Sequence, residues 1–273
     1  MSLANMKELL TQARAQERAA GAFSVSSLEM ITGVIRAAEA LDTPVILQVA
    51  EVRLPYSPLH VLGLAMLAAA QAARVPVAVH LDHGVTMDCI RRALETGFTS
   101  VMFDGSRLSM QENIDRTREV MELAGRFGAS VEAEIGVVGK TETGEALSAR
   151  CADPEDAVRF IEETGVDALA VAIGNAHGVY EGTPELRFDV LERMQGRCGD
   201  TALVLHGGTG ISDEAFRRCI SLGMNKINIA TASFMAAHRA AQGARDYFDM
   251  SARMTAASEQ VAREHIGIFG IRR

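Results

Sequence analysis

The sequence predicts an α/β fold, a single (β/α)8 TIM barrel with an extra C-terminal helix. Short apolar runs bounded by turn residues alternate with helical patterns, as is typical of buried parallel strands joined by helices. The alternation repeats eight times with no linker and no shift in composition, which predicts one domain over 1–273. A barrel of this kind takes roughly 250 residues, so one barrel nearly accounts for all 273 residues.

Each element follows from a local pattern. The apolar runs predict strands near 22–26, 44–50, 75–82, 100–104, 130–135, 168–173, 202–206 and 226–230. Helical patterns fall near 27–41, 58–73, 86–96, 109–127, 153–164, 187–197, 212–222 and 232–247, with the extra helix near 251–265. Ser212 and Asp153 are favourable helix N-caps, and glycines follow four helices. The polar loop 136–152 is long enough to act as a mobile lid.

Composition excludes several classes of protein. The net charge of −8 disfavours nucleic acid as a partner and fits a soluble metabolic enzyme. No apolar stretch is long enough to predict a membrane span, and the first residues do not have the form of a signal peptide. The four cysteines include no CxxC pair, which predicts reduced thiols and a cytoplasmic location.

Three histidines end apolar runs. His83, His177 and His206 close the segments VPVAVHLDH, ALAVAIGNAH and ALVLH, and glycine follows each of them directly. In a parallel barrel, the carboxyl ends of the strands form the face on which ligands bind. Three imidazoles with an open fourth position are a known catalytic zinc arrangement. The sequence therefore predicts a tris-histidine metal site.

Strand three ends in the segment HLDH, which places Asp82 beside the predicted ligand His83. Alternation along the strand puts His80 and Asp82 on the inward face. A carboxylate at this point suits proton transfer to a metal-bound substrate. The alternative is that Asp82 only orients a histidine ligand. His80 lies deeper, and we expect a hydrogen-bonded core histidine.

Strand five reads VEAE, so Glu132 and Glu134 face the barrel interior while its apolar residues face the helices. Buried carboxylates are costly unless they are paired or bind a metal. An ion pair with a partner that the sequence does not identify is the alternative. Asp104, at the end of strand four, belongs to the same polar group.

A glycine-rich turn follows the seventh strand. The segment HGGTG at 206–210 precedes a helix, and the eighth strand ends NIAT at 228–231 before another helix. In TIM barrels these two loops frequently bind phosphate through backbone amides and helix N-termini. Thr209 and Thr231 add hydroxyl donors. A plain tight turn is the alternative for the glycines alone.

Taken together, these segments resemble the class II, metal-dependent ketose-bisphosphate aldolases, a family that includes fructose- and tagatose-bisphosphate aldolases and the inositol-catabolism aldolase. The matching motifs are HLDHG (80–84), SVMFDGS (100–106), SVEAEIG (130–136), AVAIGNAHGVY (170–180), LVLHGGTG (203–210) and KINIAT (226–231). They occur in the family's order and span most of the chain. The resemblance implies reversible cleavage of a phosphorylated ketose into dihydroxyacetone phosphate and an aldehyde.

The resemblance also implies residue roles. His83, His177 and His206 would bind Zn2+, Asp82 would donate a proton to the aldehyde oxygen, and Asp104 and Glu134 would hold the metal in an alternative position. Glu142 would be the mobile-loop residue that moves the C3 proton. The positions implied to hold the phosphate and ketone are Gly178, Gly207, Gly208, Thr209, Asn228, Ile229, Ala230 and Thr231. A monovalent cation, Na+ or K+, is implied near the phosphate.

A Schiff-base aldolase needs a lysine in the barrel mouth. The chain has only Lys7, Lys140 and Lys226. Lys7 precedes the barrel, Lys140 lies in a loop, and Lys226 is predicted at the start of its strand, at the opposite end from the site. This alternative is therefore disfavoured.

Departures from the family pattern concern the substrate pocket. Ser24 stands where asparagine is usual, Ala50 where serine is usual, and GKTET at 139–143 replaces the loop pattern GGxED. Arg53 is either a new anion contact or a solvated charge. We therefore hypothesise that the substrate is a phosphorylated sugar other than fructose 1,6-bisphosphate.

Two alternative functions stay open from the sequence. One is a hydrolase or isomerase that uses the same tris-histidine metal, and the other is a non-catalytic sugar-phosphate-binding homologue. The resemblance also implies a homodimer or homotetramer, in which Arg263 of the C-terminal helix would reach a neighbouring subunit's pocket.

Overall fold

The computed structural model describes residues 2–140, 150–180 and 182–271. Within them, eight parallel strands close into the predicted barrel, since the first strand pairs with both the second and the last. The barrel strands are β1 (Ala20–Ser24), β2 (Val45–Ala50), β3 (Val77–Gly84), β4 (Ser100–Phe103), β5 (Ser130–Ile135), β7 (Ala168–Val171), β9 (Ala202–Leu205) and β10 (Met224–Ile229). Between them, β6 (Gly139–Lys140) and β8 (Ala176–His177) form a separate two-stranded parallel sheet.

Apart from the first, the helices follow the order that the sequence predicts. They are α1 (Met6–Ala15), α2 (Leu28–Ala40), α3 (Leu59–Ala72), α4 (Met87–Thr96), α5 (Met110–Gly125), α6 (Pro154–Thr164), α7 (Phe188–Met194), α8 (Asp213–Ser221), α9 (Thr231–Ala241) and α10 (Tyr247–Phe269), with a 3-10 turn at Glu51–Arg53. The predicted N-caps Ser212 and Asp153 accept hydrogen bonds from Ala215 N and Glu155 N. Among the described residues, no helix is both long and apolar enough to cross a membrane.

Helix α1 was not predicted, because the first element predicted from the sequence was a strand near residue 22. The apolar residues of α1 recur at helical spacing and are buried against the small side chains inside the barrel, among them Ala22 and Ala78. Asn5 caps the helix by accepting a hydrogen bond from Lys7 N. This helix closes the amino-terminal end of the barrel, so the interior opens at the opposite end.

Two predicted boundaries move in ways that matter for the site. The third strand runs to Gly84 rather than 82, because its ladder with β4 continues through an irregularity to the Gly84–Phe103 pair. The last strand starts at Met224 rather than 226, which makes Lys226 its third residue.

The C-terminal helix also differs from its prediction. The helix predicted over 232–247 stops at Ala241, and α10 begins at Tyr247 because Asp246 caps it by accepting from Asp249 N. The extra helix is therefore 23 residues long, and it packs along α2 and α9.

Candidate metal centre and catalytic pocket

The three predicted histidines converge at the carboxyl end of the barrel. His83 is the seventh residue of β3, His177 lies in β8, and His206 directly follows β9. His83 Nε2 lies 3.2 Å from His177 Nε2 and 3.0 Å from His206 Nδ1. Zinc–nitrogen bonds of about 2.05 Å at tetrahedral angles place ligand nitrogens about 3.3 Å apart. Both distances from His83 Nε2 therefore fit a zinc ion.

Carboxylates set the orientation of two of these rings. His83 Nδ1 lies 2.9 Å from Asp104 Oδ2, and His206 Nε2 lies 2.8 Å from Glu132 Oε1. An ionised carboxylate only accepts, so each of these ring nitrogens carries the proton. His83 Nε2 and His206 Nδ1 are then the nitrogens that face the common centre. A carboxylate behind a histidine ligand in this way raises its basicity and fixes its tautomer.

Asp104 and Glu134 flank His83 as a second set of donors. Glu134 Oε2 lies 3.8 Å from His83 Nδ1 and 3.6 Å from His206 Nδ1. The ligand atoms of His83, Asp104 and Glu134 all lie within 4.8 Å of one another, as do those of the three histidines. The structure thus brings both predicted metal positions together around His83.

The acidic surroundings shift the ionisation of this cluster. Burial lowers the pKa of His83, but the charges of Asp82, Asp104 and Glu134 outweigh burial and raise that pKa to about 10. Burial, reinforced by the charge of Asp104, raises the pKa of Glu134 to about 8. Burial and the charge of His83 hold the pKa of His206 well below its usual range.

Asp82 faces inward, as predicted, and both of its oxygens accept hydrogen bonds. Asn228 Nδ2 donates to Oδ1 at 3.1 Å and Gln48 Nε2 donates to Oδ2 at 3.2 Å. Gln48 also donates to Ser24 Oγ at 3.1 Å. Asp82 is 4% exposed, so its carboxylate is held in one orientation beside the metal ligands. The role of Gln48 was not found from the sequence, although its parity with Ala50 in β2 places it on the inward face.

Beneath the histidines lies a buried ion pair that corrects the prediction for Lys226. This lysine was expected at the far end of its strand, away from the site. Instead its Nζ enters the barrel interior, 2.8 Å from Glu132 Oε2, with both side chains fully buried. The ion pair that the sequence left open as the alternative therefore exists for Glu132, and Lys226 is its partner. His80, as expected, is a core histidine whose Nδ1 lies 2.9 Å from Ser100 Oγ.

The loop that carries His177 is tied to the turn that follows His206. Tyr180 Oη accepts from Ala176 N and donates to Gly207 O, each at 2.9 Å. Asn175 Nδ2 donates to His206 O at 2.9 Å. The pairing of β6 with β8 holds the same loop from its other side. These contacts fix His177, which lies six residues beyond the end of the barrel strand β7.

Glycine is required in the turn at 206–210. Gly207 has φ of 66°, and a side chain there would run into the backbone of Ala176. At Gly208 a Cβ would lie 2.8 Å from Ile229 Cδ1 and 2.9 Å from Asn228 O. The Gly208 N–H donates to that same Asn228 oxygen. The turn therefore packs directly against the end of β10.

The N-terminus of α9 opens onto this turn. Helix α9 starts at Thr231 after Ala230, which gives it no side-chain cap, and Thr209 Oγ1 accepts from Ala232 N at 3.0 Å. Gly178, with φ of 106°, directly follows His177. The predicted phosphate positions thus lie on adjoining loops, beside a helix N-terminus that favours an anion.

Three other predicted residues have different outcomes. Glu142 lies outside the described residues. Arg53 places its guanidinium 5.5 Å from the ring centre of Phe234 in α9. Arg263 pairs with Glu259 of its own helix at 2.8 Å.

Comparison with known proteins decides the family. The model of the family described as fructose-bisphosphate aldolase class-II matches residues 4–272. The chain belongs to this family. This member is 40% identical over 239 residues to 6-phospho-5-dehydro-2-deoxy-D-gluconate aldolase of Halalkalibacterium halodurans, covering 85% of this chain and 81% of that protein. It is 41% identical over 237 residues to fructose-bisphosphate aldolase of Geobacillus stearothermophilus, covering 85% and 82%.

A solved structure is similar over almost the whole chain. The YdjI aldolase of Escherichia coli K12 superposes with a TM-score of 0.90 at 36% identity, covering 98% of both chains. These comparisons confirm the resemblance stated from the motifs, and they confirm the barrel with its C-terminal helix. The aldolase names of the relatives support a lyase.

Proposed function

We propose that this protein is a zinc-dependent class II aldolase that reversibly cleaves a phosphorylated ketose into dihydroxyacetone phosphate and an aldehyde. The observation that carries the proposal is the convergence of three imidazole nitrogens beside the doubly hydrogen-bonded carboxylate of Asp82: His83 Nε2 lies 3.2 Å from His177 Nε2 and 3.0 Å from His206 Nδ1. Family membership supports the reaction class.

His83 Nε2, His177 Nε2 and His206 Nδ1 are the atoms that would hold the zinc, with Asp104 and Glu134 available for an alternative position. When bound there, zinc supplies a Lewis acid that polarises the substrate's ketone. The two carboxylates that orient His83 and His206 keep the ligand nitrogens directed at the ion.

Asp82 serves as the acid–base group of carbon–carbon bond cleavage. As a carboxylate it accepts the proton of the C4 hydroxyl, the new carbonyl forms at C4, and the electron pair of the C3–C4 bond passes to the ketone half. In the reverse direction Asp82 returns that proton to the aldehyde oxygen. Because Asn228 and Gln48 each use one lone pair of Asp82, the remaining lone pairs accept the substrate proton. The resemblance assigns the C3 proton to Glu142.

The phosphate would bind between the turn at Gly207–Thr209, Gly178 and the start of α9 at Asn228–Thr231. The N-terminal end of α9 attracts the anion, and a monovalent cation is proposed beside it. Since the Gly208 N–H is already bonded to Asn228 O, Gly208 contributes space rather than a donor.

The substrate is proposed to differ from fructose 1,6-bisphosphate. Ser24 lies in the hydrogen-bonded group of Gln48 and Asp82, where the family usually has asparagine. The relatives' names cover both fructose-bisphosphate and 6-phospho-5-dehydro-2-deoxy-D-gluconate aldolases, so the family shares a mechanism across different sugars. We further propose a cytoplasmic homodimer or homotetramer, to be checked by light scattering.

The test is release of triose phosphate from a panel of ketose mono- and bisphosphates, with and without EDTA. We expect EDTA-sensitive release, with a substrate other than fructose 1,6-bisphosphate preferred. In Asp82→Asn, kcat should fall by about 10²-fold or more with zinc retained. Asp88→Asn is the matched control, since Asp88 is exposed on α4. Absence of release from every ketose by zinc-loaded protein would contradict the proposal and favour a hydrolase or a binding protein.

A further inference from the structure

A continuous line of buried polar contacts runs beneath the metal centre and returns to Asp82. His206 Nε2 lies 2.8 Å from Glu132 Oε1, and Glu132 Oε2 lies 2.8 Å from Lys226 Nζ. Lys226 Nζ donates to Asn228 Oδ1 at 2.8 Å, and Asn228 Nδ2 donates to Asp82 Oδ1 at 3.1 Å. All five residues are at most 4% exposed. The line begins at a metal ligand and ends at the acid–base group.

The chemistry of Lys226 determines the direction of these contacts. An ammonium group only donates, so the atom of Asn228 that faces Lys226 must be the carbonyl oxygen. The amide nitrogen of Asn228 is then directed at Asp82, and its two hydrogens require an acceptor there. Because Lys226 can only donate, it fixes which end of the Asn228 side-chain amide faces it. The amide nitrogen of Asn228 in turn fixes the orientation of the Asp82 carboxylate.

The same ammonium compensates the charge of Glu132. Besides Lys226, the groups that face this carboxylate are His206 and His80, whose Nε2 lies 3.6 Å from Glu132 Oε2. Lys226 Nζ thus lies against one oxygen of Glu132, while the other oxygen accepts a hydrogen bond from His206 Nε2.

A purely structural role does not explain this choice of residues. Buried ion pairs often contribute no more to stability than apolar side chains of the same volume, because desolvation offsets their attraction. Lys226 and Asn228 lie two residues apart in β10 and share its inward face. Each contact of the ammonium leads to a group of the active centre.

We propose that Lys226 is a positioning residue that aligns the metal ligand His206, through Glu132, and the acid–base group Asp82, through Asn228. This inference deepens the proposed function and rests on it. The contacts of Lys226 reach the centre through Glu132 and Asn228. From one buried position it holds His206 and Asp82 in a fixed arrangement relative to each other.

The test compares Lys226→Met with the double variant Lys226→Met/Glu132→Gln. The single change leaves the Glu132 charge unpaired and is expected to destabilise the fold. The double change removes both charges, while the side-chain oxygen of Gln accepts from His206 Nε2, so folding should recover. Lys7→Met is the control, because Lys7 pairs with Asp167 at the opposite end of the barrel.

In the folded double variant we expect zinc affinity to fall at least tenfold in competition with a chelator. At saturating zinc, kcat should fall at least tenfold while KM changes less than threefold, because Gly207, Thr209 and Thr231 of the proposed phosphate site lie outside the line of contacts that runs through Lys226. The absorption spectrum of the Co2+-substituted double variant should differ from that of the unaltered protein. Lys7→Met should change none of these.

The outcomes separate this inference from the proposed function. If the unaltered protein cleaves no ketose phosphate, the proposed function fails, and metal affinity with the Co2+ spectrum still tests the link to His206. A double variant with unchanged zinc affinity overturns the proposal. So does one with unchanged kcat at saturating zinc, since the link to Asp82 would then be absent.

Discussion

The side chain of His83 belongs to both candidate metal positions, and the charges of Asp82, Asp104 and Glu134 raise its pKa. Its Nε2 faces the other two histidines, while its Nδ1 faces Asp104 and Glu134. Its φ of 43° lies in the left-handed region, a strained conformation for a residue with a side chain. This strain turns the ring into the barrel mouth where the strand ends.

Zinc binding should release a proton from His83. The pKa of His83 is about 10, so below pH 10 its Nε2 carries a proton that zinc must displace. Between pH 8 and 9.5, above the pKa of Glu134 of about 8, apparent zinc affinity should therefore rise about tenfold per pH unit. Competition with a chelator of known proton affinity measures the slope.

Asp104→Asn removes a carboxylate that raises the pKa of His83, so the slope should flatten in the same pH range. Asp88→Asn, an exposed change on α4, should leave it unaltered. An Asp104→Asn protein with the original slope would show that Asp104 does not control this proton.

The convergence of the three histidines and the inward position of Asp82 were predictable at this scale because strand ends share one face of a barrel. Lys226 was not, because its strand was predicted to begin two residues late. Residues two apart on a strand share a face, so the spacing of Lys226 and Asn228 indicates that both side chains point into the barrel. Its pairing with Glu132 depends on the barrel's closure, which brings β5 and β10 together across the interior without pairing them.

Among the elements, the loop that carries His177 relies on contacts with its neighbours. Its strand β8 has only two residues, and Tyr180 adds the contacts with Ala176 and Gly207. The motif AVAIGNAHGVY contains Tyr180, but a tyrosine three residues beyond His177 does not reveal its hydrogen-bond partners. By contrast, Met6, Leu9, Leu10 and Ala13 behind Asn5 form an ordinary amphipathic helix signal, so α1 was predictable.

Tyr180→Phe should destabilise this loop by about 1 kcal/mol, the typical net contribution of a hydrogen bond. It should also weaken zinc binding roughly tenfold, the smaller end of the loss seen when a group that supports a metal ligand is removed. Thermal unfolding and chelator competition measure the two effects. Tyr247→Phe is the matched control, because Tyr247 is 65% exposed on α10. Equal zinc affinity in both variants would mean that Asn175 and the pairing of β6 with β8 hold His177 without Tyr180.

For the whole molecule, the candidate metal centre brings together parts of the chain that are distant in sequence. His83 and His206 are 123 positions apart, and with His177 they come from three separate barrel units. The eightfold alternation predicted their convergence because closure leaves one ligand-binding face. The bottom of the barrel, closed by α1, contains no comparable cluster among the described residues.

Zinc should therefore stabilise the folded protein as a unit. A ligand at 100 times its Kd adds about 2.7 kcal/mol to the free energy of unfolding. In proteins of 150–250 residues each kcal/mol of stabilisation raises Tm by about 2–4 °C, so Tm should rise by roughly 6 °C when zinc binds. EDTA should reverse the rise, as followed by circular dichroism. His177→Ala should lose most of it, whereas His60→Ala, an exposed change on α3, should keep it. An equal rise in His177→Ala would place the stabilising ion elsewhere, because the site would then have lost a ligand without losing its effect.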